Sequence, residues 1–352
     1  MEENEMKKRF LCLLFAALLL TSCGVRTEEG YMRSFTDSLG RTVMIPENPK
    51  KVAASGTLAQ LVLFSLCPEK LAGITSEWDA ETFPFLEESY RSLPILGHLY
   101  GGKGDLNPES LLASGAELVI DIGEAKDAIA DDLDQLQAQI GIPFVHIHAQ
   151  TEKMGETYRL LGALLGVPEQ AEKLAEYCDS VYSDMYALSQ HVEKRSVLYI
   201  TGTKGLNVIA KGSYHAEILD LLCENAAVLD EPSAKGSGNE VDFEQLLLWN
   251  PDVILFSPDS IFDSVSDDPT WNTLRAIREG RFYEVPLGPY NWMGFPPSVQ
   301  RYLGMLWMAK LLYPEEAAYD LFDEVSRYFR LFYHTEITEA QYSELVRNSI
   351  LK

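Results

Sequence analysis

His146 and His148 stand two apart in the run "PFVHIHA". On a strand that spacing puts both imidazoles on one face, an arrangement that suits a metal ion. A site for bare zinc or manganese gathers three or four ligands, and His98 and His215 are the available completions. The competing reading makes these histidines structural, or lone residues of a binding site, and it is preferred because nothing in the spacing gathers the four. No metal site is therefore expected. Catalytic motifs are missing as well. "GTKG" and "KGSG" lack the Gly-x4-Gly-Lys-Ser/Thr pattern of a phosphate-binding loop. There is no Gly-x-Ser-x-Gly nucleophile elbow and no His-Glu-x-x-His. An enzyme is not expected.

The elements that would position such residues alternate. "FTDSLGRTVMI", from Phe35, reads as a hairpin whose Asp37, Ser38 and Gly40 supply turn chemistry. Then come the short strand of "KKVAASG", a helix over 58–67, and the strand "LAGIT". Asn107 and Pro108 open another helix, followed by strand "AELVIDI", helix "AIADDLDQLQAQI" and strand "PFVHIHA". Alternation of this kind predicts a parallel α/β sheet. A long helical run over 151–191 follows, with a break at 166–168. A second α/β run starts at "SVLYITG", and helices close the chain from Pro297, with a break at 335–338. The boundaries predicted are a leader over 1–22, a tether over 23–34, a first α/β lobe over 35–150, a helical strut over 151–192 and a second lobe with helical tail over 193–352.

The two runs share a unit. "LNPESLLASGAELVID", from Leu106, keeps step with "VDFEQLLLWNPDVILF", from Val241: Glu244 falls on Glu109, Leu246 on Leu111, Leu247 on Leu112 and Val253 on Leu118. Both Glu fall in a first helical turn, where the helix dipole alone favours them.

The chain has 352 residues and a formal net charge of −24. That charge excludes nucleic acid as a partner, since phosphate neutralisation needs clustered Lys and Arg. At the N-terminus, Lys7, Lys8 and Arg9 precede an apolar stretch from Phe10 to Leu20, too short to span a bilayer. It ends in Leu-Thr-Ser-Cys, which matches the bacterial lipoprotein cleavage box. Cys23 is read as lipidated, holding the mature chain on the outer face of the cell membrane, with Met1–Ser22 removed. Cys67, Cys178 and Cys223 sit among apolar residues and read as buried thiols; one disulfide between two of them is the alternative.

Lipobox, hairpin, two α/β lobes and a helical strut together resemble the class III binding lipoproteins of ABC importers for iron–siderophore, haem and cobalamin. The resemblance rests on "FTDSLGRTVMIPENPKKVAASG", "NPESLLASGAELVI", "GSYHAEILDLLCENAAV" and "VDFEQLLLWNPDVILF", and on "WMGFPPSVQRYLGMLWMAKLLYP". It implies two Rossmann-like α/β lobes joined by a long rigid helix, with the ligand in the cleft between them. It implies a monomer that captures a metal chelate, a ferric siderophore first, and hands it to the transmembrane permease subunits. Haem, a cobamide, an oxyanion or a simpler metal complex are the alternatives, and a cell-surface α/β enzyme is a distant one. No cofactor is implied beyond the metal-containing ligand. By position, Glu109 and Glu244 would each meet an arginine of a twofold permease.

In doubly wound sheets ligands sit beyond the carboxyl ends of the strands. The loops there offer Trp78, Tyr100, Tyr214, Tyr290 and Trp292 as aromatic surface for a bulky chelate. Lys103, Lys204, Lys211, Lys235 and Arg301 are the cations for its carboxylates or catecholates. His98, Tyr100, Tyr214, His215 and Tyr290 are the candidate axial ligands should it be haem.

Overall fold

The computed structural model describes residues 31–99, 104–125, 128–294 and 296–350. The predicted leader and Cys23, and the candidates Tyr100 and Lys103, lie outside the described residues.

The described residues open on an antiparallel hairpin of β1 (Met32–Thr36) and β2 (Thr42–Pro46). Its turn is held by Asp37, whose Oδ1 accepts from the amides of Leu39 and Arg41 at 3.0 Å. Gly40 takes φ 79° there, a left-handed conformation that glycine adopts without a Cβ penalty. The first lobe then runs β3 (Val52–Ala54), α1 (Thr57–Leu66), α2 (Pro108–Ala113), β4 (Leu118–Gly123), α3 (Ile129–Ile140) and β5 (Phe144–His148). The three strands lie in the order β3-β4-β5, all parallel. Residues 118–122 are buried without interruption, as expected of a parallel strand covered on both faces.

The connecting run is two helices packed on each other, α4 (Met154–Leu165) and α5 (Pro168–His191). Gly166 ends the first at φ 70° and Pro168 opens the second, the glycine-then-proline punctuation that stops one helix and starts the next. At 24 residues, α5 spans about 36 Å at the ordinary helical rise.

The second lobe contains β6 (Ser196–Thr201), β7 (Asn207–Val208), α6 (Glu217–Leu222), β8 (Glu224–Asn225), β9 (Asn239–Glu240), α7 (Phe243–Trp249), β10 (Val253–Phe256) and β11 (Phe282–Glu284). Strand order is β11-β10-β6-β7-β9, with β8 also on β6. β6, β8, β10 and β11 are parallel, whereas β7 and β9 add an antiparallel edge that the alternation did not announce. The chain closes with α8 (Gln300–Leu312), α9 (Leu321–Phe332) and α10 (Glu339–Leu345).

The sequence repeat is a structural repeat. α2 leads into β4, which pairs with the lobe's first strand through Val52 and Leu118. α7 leads into β10, which does the same through Val197 and Val253. Asn107 caps α2, its side chain accepting from Glu109 N and Ser110 N at 3.0 Å. Asp242 caps α7 by accepting from Gln245 N at 2.8 Å.

One apolar core crosses both lobes. It takes in Val52 and Phe64 from the first lobe, Tyr177 from α5, Tyr302 from α8 and Phe329 from α9. The tail doubles back onto the first lobe: Phe329 meets Phe85 with ring centroids 4.7 Å apart, and His334 Nε2 donates to the Phe64 carbonyl at 3.1 Å. The 193–352 segment is thus split between its own sheet and a clamp on the other lobe. Opening the lobes widely would tear packed side chains apart, and packed interiors do not deform continuously.

Candidate functional site

Two cavities open between the lobes, of about 540 Å³ and 560 Å³. They share Leu58, Glu124, Tyr214 and Pro297, so they are two chambers of one cleft. Volumes of this size suit a small-molecule ligand rather than a single atom. The first-lobe wall of the second chamber is Ser55–Ala59, just past β3, and Asp121–Ala125 at the end of β4. The cleft therefore lies beyond the carboxyl ends of the parallel strands, as the topology requires. The opposite wall carries Tyr214, His215, Ala234 and Gly236.

Arg301 organises the first chamber. It sits in the first turn of α8, and its side chain is 4% exposed. Its guanidinium lies over the Tyr214 ring at 4.6 Å, and Nη2 donates to the Tyr214 carbonyl at 2.7 Å. Nη1 donates to Thr151 Oγ1 at 3.2 Å and to Glu217 Oε2. Thr151 Oγ1 also donates to that Glu217 oxygen at 2.7 Å. One guanidinium thus ties the start of the connecting run to the second lobe and fixes the aromatic wall, a fork geometry a lysine cannot supply. Burial raises the Tyr214 hydroxyl above its ordinary value although Arg301 pulls the other way. Burial, and then the Arg301 charge, lower the His215 imidazole below its ordinary value, so it is neutral at pH 7.

Under the second chamber lies a polar row across three strands. Ser55 Oγ donates to Asp121 Oδ1, and His146 Nδ1 donates to Asp121 Oδ2 at 2.7 Å. His146 is wholly buried, while His148 is exposed at the strand end. His98 is placed against Thr57 Oγ1 at 3.4 Å and Asp105 Oδ1 at 3.4 Å. The histidines are thus scattered among separate partners. Among the described residues, no group of three or more His, Cys, Asp or Glu is placed to hold a metal ion.

Of the ligand candidates, Tyr214, His215 and Arg301 reach the cleft. Others do not. Trp78 is 3% exposed, set edge-on to Phe64 at 5.2 Å, and its Nε1 donates to the Tyr90 carbonyl at 3.0 Å. Trp292 is 0% exposed and donates to the Gly288 carbonyl at 2.8 Å, and Tyr290 is buried beside it. These three are core, because a large ring at a lobe boundary gains more from burial than from a solvated loop. Lys204, Lys211 and Lys235 are exposed, and none lines either chamber; their charged heads stay in water. Sequence reasoning missed Glu124, Thr151 and Glu217 as wall residues. Glu217 carried a signal in retrospect, an acid two residues after the "GSYH" loop, at the start of α6.

Glu109 and Glu244 lie away from the cleft, exposed in the first turns of α2 and α7. Cys67, Cys178 and Cys223 are free and buried. Among the described residues, no helix is long and apolar enough to cross a membrane.

Residues 89–287 match the family described as Periplasmic binding protein. The chain is 26% identical over 336 residues to the molybdate-binding protein MolA of Haemophilus influenzae, covering 86% of this chain and 91% of that protein. It is 26% identical over 193 residues to the Fe(3+)-citrate-binding protein YfmC of Bacillus subtilis, covering 53% and 58%. A solved ABC transporter solute binding protein from Sulfurospirillum deleyianum superposes with a TM-score of 0.81 at 26% identity, over 90% of this chain and 99% of that one.

Proposed function

The chain belongs to the periplasmic binding protein family, the substrate-binding components of ABC importers, and from that premise we propose that it captures a metal-centred chelate in the interlobe cleft. The observation that carries this reading is the two-chambered cleft itself, about 540 Å³ and 560 Å³ with four wall residues in common. A chelate of several ligand groups fills such a space. The wall chemistry favours a chelate over a bare oxyanion. Glu124, Glu152, Glu217 and Asp220 line the first chamber, and the one cation among its described wall residues, Arg301, is already engaged by Glu217. A multiply charged oxyanion would face those carboxylates with its full charge, whereas in a chelate the bound metal offsets the charge of its own donor groups and so reduces the repulsion. A ferric chelate leads, in keeping with the ferric-citrate relative. A bare oxyanion is the second reading, favoured by the buried Arg301 fork and by the molybdate-binding relative.

Capture needs no bond making, and the family is one of binding proteins rather than enzymes. The rest of the reading is anchorage and delivery. Cys23 carries the lipid, and the carboxylates of Glu109 and Glu244 dock the two lobes on a twofold permease. A protein with two similar lobes fits a twofold partner when each lobe supplies one matching charge.

The test is native mass spectrometry with an absorption spectrum of protein from cells grown iron-limited, molybdate-supplied or cobamide-supplied. A bound iron complex is expected. A Soret band, a corrin spectrum or a molybdate adduct would each overturn the ferric reading and name its replacement.

A further inference from the structure

The repeated helix places more than a carboxylate on the surface. Leu111 and Leu246 are both fully buried, 135 residues apart at equivalent positions. Their next neighbours turn outward: Leu112 is 55% and Leu247 41% exposed. Each outward leucine lies three residues after the first-turn glutamate, and residues three apart share a helix face. Each lobe therefore shows the same pair, Glu109 with Leu112 and Glu244 with Leu247.

A single exposed leucine is ordinary. Two at matched positions of a duplicated unit are not explained that way. The fold does not use them, since Leu111 and Leu246 supply the contact with the sheet. Helix propensity does not ask for them either, since Lys, Gln or Glu serve equally on a solvated face. The second patch is larger. Leu248 is 79% exposed one residue further on, where the first lobe has Ala113, and it lies four residues after Glu244 on the same face.

We propose that Leu112 and Leu247, with Leu248, are the apolar anchors of the permease-docking surface, set beside the charges and stronger on the second lobe. The occupant is a twofold membrane-protein surface presenting, twice, a basic residue next to an apolar socket. Duplication of the patch argues for a partner that is itself duplicated, and the flanking acids argue for basic residues on it. This rests on the importer reading above and adds a division of labour to it. Rim charges govern association and its salt dependence, while apolar area taken out of water holds the complex together.

The experiment holds the transmembrane dimer of the chain's own importer in nanodiscs on a sensor surface. Association and dissociation of the full chain are recorded at low and high salt. Leu112→Ser with Leu247→Ser is expected to dissociate at least about tenfold faster at both salts with little change in association. Leu248→Ser alone is expected to speed dissociation more than Leu112→Ser alone. Glu109→Gln with Glu244→Gln is expected to slow association and flatten its salt dependence. Unchanged dissociation of the leucine variant, with its thermal melt also unchanged, overturns the anchors while leaving the importer reading intact. Wild-type protein that fails to bind the dimer at all overturns the importer reading itself. Sedimentation of the chain alone covers the remaining occupant: self-association lost in the leucine variant would assign the patches to a second copy and overturn the proposal.

Discussion

The Arg301 guanidinium lies over the Tyr214 ring at 4.6 Å and donates to the Tyr214 carbonyl at 2.7 Å. One side chain thus fixes both the face and the backbone of the cleft's aromatic wall. Its other nitrogen reaches Thr151 and Glu217, so removing it leaves Glu217 without its cation. Arg301→Met is expected to lower stability by about 2 kcal/mol and to weaken ligand binding at least about tenfold. Arg301→Lys keeps the charge but loses the fork and is expected to recover stability only in part. Urea unfolding and ligand titration check both.

His215 lines the same wall, with its imidazole lowered below the ordinary value by burial and by Arg301. A histidine held neutral in the folded state takes up its proton first in the unfolded chain. Stability is then unaffected above the unfolded value near 6.5. It declines as pH falls below that value and levels off once the folded-state value is passed. His215→Gln is expected to show a shallower decline between pH 7 and pH 5. Denaturant midpoints across that range measure it, and identical slopes in the two proteins would refute the assignment.

How far the sequence foretold this site depends on which force placed each residue. Strand–helix alternation and the repeated "NPESLL" and "DFEQLL" units come from local periodicity and capping; the repeated units appear in the fold where they were read, whereas "LAGIT" makes only isolated bridges, at Leu71 and Ile74, and no strand. Tyr214 and His215 could be placed because they sit just before α6 in a loop that topology sends to the cleft. Trp78, Tyr290 and Trp292 could not, because whether a loop aromatic faces ligand or core is decided by packing between segments distant in sequence. The contact of α9 with the first lobe, through Phe329 and Phe85, is of the same kind. Nothing in "LFDEVSRYFRLF" names its partner. His146 is structural, the reading its spacing left as the preferred one, but its partner could not be named: strand neighbour Asp121 takes the imidazole, and that pairing depends on register.

The three thiols give an independent check of the core. Burial pushes Cys67 up to about 12, and burial likewise raises Cys178 and Cys223 well above the ordinary thiol range. All three are free and stay protonated near neutrality, and a protonated buried thiol is unreactive. A soluble form beginning at Gly24 is expected to show no thiol reactive toward a disulfide reagent at pH 8 when native and three in guanidinium. Two equivalents missing after denaturation would mean a disulfide instead.

Gly304 lies inside α8, where a Cβ would press on the Trp292 carbonyl oxygen and fall 2.8 Å from Ile218 Cδ1. Gly304→Ala gains about 1 kcal/mol in helix propensity. Overpacking costs about 1–3 kcal/mol, and here part of the obstruction is backbone, which cannot rotate aside. With the cost therefore in the upper part of that range, a net loss of about 1–2 kcal/mol is expected. Because α8 also carries Arg301, ligand affinity should fall with it. A melting temperature unchanged or raised would show that the Trp292 segment yields more easily than its burial suggests.

Glu109 and Glu244 can be tested for a role beyond their helices. Each lies in a capped first turn, where the dipole accounts for about 0.3–1 kcal/mol. Glu109→Ala with Glu244→Ala should therefore cost at most about 2 kcal/mol, with both caps intact because Asn107 and Asp242 bond backbone amides rather than these carboxylates. If the glutamates serve only the dipole, cells carrying the double variant should accumulate iron like wild type. If they dock the permease, uptake should be lost while ligand affinity of the isolated chain is unchanged, and each single variant should fall between. Uptake of labelled iron beside ligand titration of the same variants separates the two, because a helix-local effect moves stability first and delivery only through it.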